Sequence, residues 1–73
     1  MELTGNDCRI ARRRRGITLR DLAPHLGVTP QRAGQIEQKA IVTVTEYNRY
    51  TEAVEAAFAQ KVKAEYSSTE VAS

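Results

Sequence analysis

The chain has 73 residues, 11 Lys and Arg against 9 Asp and Glu, and a net charge of +2, which describes one small domain. A chain this short buries only about 60% of the surface its unfolded form exposes, so a disulfide, a metal or a partner chain is the usual reinforcement. Cys8 is the lone cysteine and His25 the lone histidine, which argues against a disulfide and a protein metal site and leaves a second copy of the chain as the expected reinforcement.

Breakers and caps divide the sequence into four helical stretches. The first is expected from about Thr4 or Asn6 to Arg15, stopping at Gly16, a residue suited to the left-handed position after a helix. Thr18 opens the second: its hydroxyl can accept from the amide of Asp21, and Ile17 can pack on Leu22 as a hydrophobic staple. This helix ends at Leu26, before Gly27. Pro24 lies inside it and cannot donate to the carbonyl of Arg20, so a local bend is expected. The third helix starts at Thr29-Pro30, where the missing proline amide costs nothing, and runs to about Gln38. A short extended link, Lys39 to Val42, leads to Thr43-Val44-Thr45-Glu46, a full capping box with Val42 and Tyr47 as its staple. The fourth helix is expected to reach about Tyr66, so that residues 1–66 form the domain and residues 67–73 a disordered tail. No strand is expected, and the fold class is all-α.

The segment Leu19 to Ile36 is the informative one. Two short helices joined by a three- or four-residue turn cross steeply only when a small residue sits at the contact, a glycine at the turn and an apolar plug after it. Ala23, Gly27 and Val28 supply these, with Leu22 and Leu26 beside them, and Ala33, Ile36 and Ala40 give the next helix one apolar side. At about 100° per residue, Gln31, Gln35 and Gln38 fall on the opposite face, flanked by Arg32 and Lys39. A polar outer face is what any surface helix shows. Three amides in register with cations and no acidic residue also suit the major groove, where glutamine offers adenine a donor and an acceptor together. Gly34 would let the backbone approach DNA closely, at a helix-propensity cost of about 1 kcal/mol. Residues 1–40 carry eight Arg and Lys against four Asp and Glu, whereas residues 41–73 carry three against five. A basic front half suits a polyanion partner, and ordinary surface charge gives the same imbalance.

Residues from about Arg9 to Val54 resemble the Xre/Cro-type, lambda-repressor-like family of phage and plasmid regulators. The matching text is Arg15-Gly16-Ile17-Thr18-Leu19-Arg20-Asp21-Leu22-Ala23, then Leu26-Gly27-Val28-Thr29, Gln35-Ile36-Glu37 and Val42-Thr43-Val44-Thr45-Glu46-Tyr47. The resemblance implies a compact bundle of four to five helices with a helix-turn-helix whose third helix, about residues 29–38, enters the major groove. Carried over by position, Thr29, Gln31 and Gln35 fall where the family reads bases. Thr18 and the start of the second helix fall where it grips phosphate, and Arg12 and Glu37 where many members hold an ion pair. Pro30 departs from the pattern, standing where relatives often use a base-reading side chain.

The expected base-contacting set is therefore Thr29, Gln31, Arg32 and Gln35. The expected phosphate set is Thr18, Arg20, Arg13, Arg15, Gln38 and Lys39, because the run Arg12 to Arg15 cannot all point one way on a helix. An RNA-binding role for that run would lack the aromatic platform RNA readers stack on. On the fourth helix an apolar stripe with Val54, Ala57, Phe58, Val62 and Tyr66 is what monomer core would also show, and it is expected in preference to form a homodimer interface. The reading is a cytoplasmic, nucleoid-associated repressor that binds double-stranded DNA at a palindromic operator. It requires no cofactor, metal, membrane or small-molecule ligand. The alternative is an antitoxin-like autoregulator whose C-terminal region binds a partner protein, and activation would differ from repression only in operator position. One histidine and no glycine-rich phosphate loop leave no set of residues for catalysis. No apolar run is long enough for a bilayer, and no signal-peptide pattern is present.

Overall fold

The computed structural model describes residues 2–72, with side chains through Tyr66. Four helices follow in order: α1 (Gly5–Arg14), α2 (Leu19–Leu26), α3 (Pro30–Glu37) and α4 (Val44–Ala72). Each starts where a threonine can satisfy an otherwise unpaired amide. Thr4 accepts from the amide of Asp7 at 3.3 Å while the Asp7 carboxylate accepts from the Thr4 amide at 2.8 Å. Thr18 and Asp21 form the same reciprocal box for α2, and Thr43 and Glu46 do so for α4. Thr29 caps α3 from one side, accepting from the amide of Arg32 at 3.2 Å. The two glycines expected after helices take the left-handed conformation, Gly16 at φ 66° and Gly27 at φ 71°. Helix α2 continues through Pro24 without interruption.

The interior is one cluster: Cys8 from α1, Ile17 before α2, Leu22 on α2, Ala33 on α3, Val42 in the link, and Tyr50, Ala53, Val54 and Ala57 on α4. Leu22 is fully buried, which stabilises the fold by about 2 kcal/mol. Helices α1 and α2 each pack on both α3 and α4, whereas no Cα of α3 comes within 8 Å of a Cα of α4. Among the described residues the one β feature is an isolated antiparallel bridge, Leu3 with Val42, in which the Val42 amide donates to the Leu3 carbonyl at 2.8 Å. That bridge ties the segment before α1 to the link before α4.

Several expectations are corrected by this packing. Val54 and Ala57, expected in a dimer interface, are 2% and 4% exposed within a single chain and belong to its core. Phe58 is half-buried against that core with the Arg15 guanidinium 4.7 Å from its ring centroid. A stripe at three- and four-residue steps looks the same whether the chain or a second copy covers it, and here the chain covers its proximal half. Ala40, assigned to the apolar side of the third helix, lies beyond the end of α3 and is exposed. Helix α4 is long enough, at roughly 1.5 Å per residue, to run past the three shorter helices, and its described distal residues include Tyr66 at 68% exposure. The tail expected over 67–73 falls on residues whose side chains lie outside those described.

Candidate functional site

The outer face of α3 carries Gln31, Arg32, Gln35 and, at its cap, Gln38, all exposed. No acidic side chain stands among them, because the one carboxylate of this helix, Glu37, is turned inward. Arg32 Nη1 donates to Gln35 Oε1 at 3.2 Å, which holds a cation and an amide side by side. Thr29 is exposed, its hydroxyl engaged as the α3 cap. Gly34 does not open the helix outward: a Cβ built there would meet Leu19 Cδ1 of α2 at 3.4 Å, so its bare side faces α2.

What holds this face in place is the inner side of α3. Glu37, with only 2% of its side chain exposed, sits at the C-terminal end of the helix, where the helix dipole is negative and a carboxylate is unfavourable. Arg12 on α1 compensates with a two-pronged contact, Nε to Oε2 at 2.6 Å and Nη2 to Oε1 at 3.2 Å. Arg9 adds Nε to Oε1 at 3.4 Å, and the Tyr50 hydroxyl on α4 donates to Oε2. Arg12 also donates from Nη1 to the Ile17 carbonyl at 2.8 Å, fixing the loop before α2. Among the described residues no buried polar side-chain atom lacks a partner. Burial alone would raise the Glu37 carboxyl, but the bonds from Arg12, Tyr50 and Arg9 outweigh it and hold it below its ordinary value. Burial, followed by the Glu37 contact, pushes the Tyr50 phenol up, and the bond to Glu37 raises Arg12. The same junction carries Cys8, whose thiol is raised to about 11 by burial and by the nearby Glu37 charge.

Backbone contacts reinforce the join. The Gly5 amide donates to the Lys39 carbonyl at 2.9 Å, so the start of α1 satisfies a carbonyl just past the end of α3. A Cβ at Gly5 would lie 2.5 Å from the Glu37 carbonyl and from the Ile36 oxygen. Sequence reasoning found Arg12 and Glu37 but missed Gly5, Arg9 and Tyr50. The signal for Gly5 was a glycine at the first position of a well-capped helix, where nothing local calls for one.

The expected phosphate contacts divide. Arg13, Arg20, Gln38 and Thr18 are exposed, although the Thr18 hydroxyl is occupied by the Asp21 amide at 3.1 Å. Arg15 is engaged elsewhere, with Nη2 on Glu55 Oε1 at 2.8 Å and its guanidinium over Phe58. Lys39 donates to Glu46 Oε2 at 2.6 Å, and that bond, with the Thr43 cap, holds the Glu46 carboxyl at about 2. Both contacts lie at the surface, where ion pairs contribute little and exchange readily. His25 is exposed and pairs with Gln60 Oε1 at 2.9 Å, joining α2 to α4, and Lys61 donates to the Gly16 carbonyl at 3.2 Å.

Among the described residues no helix is long and apolar enough to cross a membrane. Comparison with family models, with curated proteins and with solved structures finds no match to this chain.

Proposed function

We propose that this chain is a sequence-specific DNA-binding regulator in which α2, the turn at Gly27 and α3 act as a helix-turn-helix. Helix α3 enters the major groove and reads bases with Gln31, Arg32, Gln35 and Thr29, while Arg13, Arg20 and Gln38 contact phosphates. The observation that carries this reading is the division of α3 into two faces. Its single carboxylate is buried and neutralised by Arg9 and Arg12, which leaves an outer face of amides and one cation on a firmly mounted helix. Glutamine amides in a groove make paired donor and acceptor contacts that discriminate bases by about 1–3 kcal/mol each.

The regulator acts as a homodimeric repressor on a palindromic operator, the two α3 helices lying roughly 34 Å apart. The exposed Tyr66 and the partly buried Val62 one turn before it remain as its contact surface once Val54 and Ala57 are assigned to the core. Selection from a random duplex library at low salt is the direct test. A preferred site should emerge, and Gln35→Ala should weaken it by about 1–3 kcal/mol while relaxing preference at one base pair. Failure of the protein to retain any duplex would overturn the reading. Light scattering tests the assembly: a monomer at micromolar concentration would return the distal α4 surface to the antitoxin-like alternative, in which it holds a different protein.

A further inference from the structure

Between α3 and α4 runs a groove of about 200 Å³ in which Arg49 has so far been given no role. Its apolar part is made by Leu26, Val28, Ile36 and the ring of Tyr50, and its charged part by Arg32, Arg49 and Glu46. It exists because the two helices meet through the Tyr50 hydroxyl and Glu37 while their backbones stay apart. The charges along it are unequal. Glu46 is committed to Lys39 at 2.6 Å and to the Thr43 amide at 3.1 Å. Arg49 is exposed and makes no ion pair among the described residues, and Arg32 donates to the neutral amide of Gln35. Besides the Glu46 carboxylate held by Lys39, the groove therefore presents two guanidiniums that make no ion pair among the described residues, one on the flank of the α3 outer face and one on α4, beside a strip of apolar surface.

We propose that this groove is a phosphodiester-binding site with Arg49 its ligand, the base-reading Arg32 standing at its edge. The proposal rests on the regulator reading and extends the contact surface onto α4, a helix that reading uses for assembly. Chemistry selects the occupant. A nucleic-acid backbone alternates an anionic phosphate, which a planar guanidinium grips with two parallel N–H donors, with a sugar whose carbons suit the apolar strip. Arg32 joins the exposed face of Gln31 and Gln35 to this groove, so a strand bordering α3 on that side would come within reach of Arg49.

The test is the salt dependence of duplex binding by the full chain. One phosphate contact contributes about 0.9 to the slope of log affinity against log salt, equivalent to about 8-fold in affinity at 0.1 M salt. Arg49→Gln should reduce the slope by about that amount and weaken all duplexes alike, leaving base preference intact, and Arg49→Lys should restore most of the slope. Arg14→Gln is the comparison, since Arg14 lines a separate groove between α1 and α4; it should leave the slope unchanged. Circular dichroism checks that each variant keeps its helices. An unchanged slope in Arg49→Gln would overturn the proposal while the regulator reading stood. An equal fall in Arg14→Gln would overturn it too, because net charge and not the groove would then be at work. A wild-type protein that binds no duplex would remove the regulator reading and this site together.

Discussion

The two faces of α3 are built on opposite principles. Its inner face is over-determined: Glu37 takes bonds from α1 and α4 at once, Gly5 allows the start of α1 to press against its last carbonyls, and Ala33 is fully buried. Its outer face makes few bonds within the chain, chiefly the one between Arg32 and Gln35. Eight residues thus serve as an anchor on one side and a presentation surface on the other, and stability and recognition should respond to different substitutions.

Arg12→Ala should have the largest effect. It leaves a buried carboxylate with weaker partners, which costs about 3 kcal/mol or more. Gln35→Ala, on the same helix as the Glu37 carboxylate that Arg12 holds but on its other face, should change stability by less than about 0.5 kcal/mol. Urea denaturation of both variants checks the contrast, and similar losses in the two would erase the distinction between faces. Gly5→Ala should follow, at about 2 kcal/mol, because the added methyl meets backbone that has no flexible end to swing aside. Next is acid lability. Glu37 titrates below its ordinary value of 4.5 in the folded chain, so its contribution is complete above that value and lost as pH falls through the folded one. The melting temperature should be level from pH 7 to about 5.5 and then drop. Because Asp21 and Glu46 are lowered as well, the measurement is the difference from Glu37→Gln, whose acid drop should be the shallower. Smallest is Gly34→Ala, which should stabilise by about 0.5–1 kcal/mol through helix propensity. Its methyl would point at Leu19 and not outward, so DNA affinity should hold, and a loss of affinity would return Gly34 to the outer face.

Local chemistry explains what the sequence revealed and what it hid. The caps at Thr18 and Thr43 are written in residues three apart, the start of α3 in Thr29-Pro30, and the turns in Gly16 and Gly27, so the helices could be read directly. The amides of α3 followed from a period of about 100° per residue. Hidden were the features that depend on which helices meet. Nothing near Tyr50 says that its hydroxyl crosses to a carboxylate thirteen positions back in the chain, and nothing near Arg15 says that it turns to Glu55. The α4 stripe was visible, but whether a neighbouring helix or a second chain covers Val54 and Ala57 is a property of the whole bundle. Register within a helix is local information, and partnership between helices is not.

Cys8 gives the molecule a built-in clock. Its sulfur has no exposed surface, and its thiol, raised to about 11, offers very little thiolate at neutral pH. A thiol-directed reagent therefore has to wait until α1 lifts from α3 and α4. Where reclosing outpaces labelling, the modification rate reports the equilibrium between closed and opened chains. A duplex that grips only the closed form should slow that rate in proportion to its occupancy, so one unpaired cysteine allows binding to be timed by labelling at a single native site.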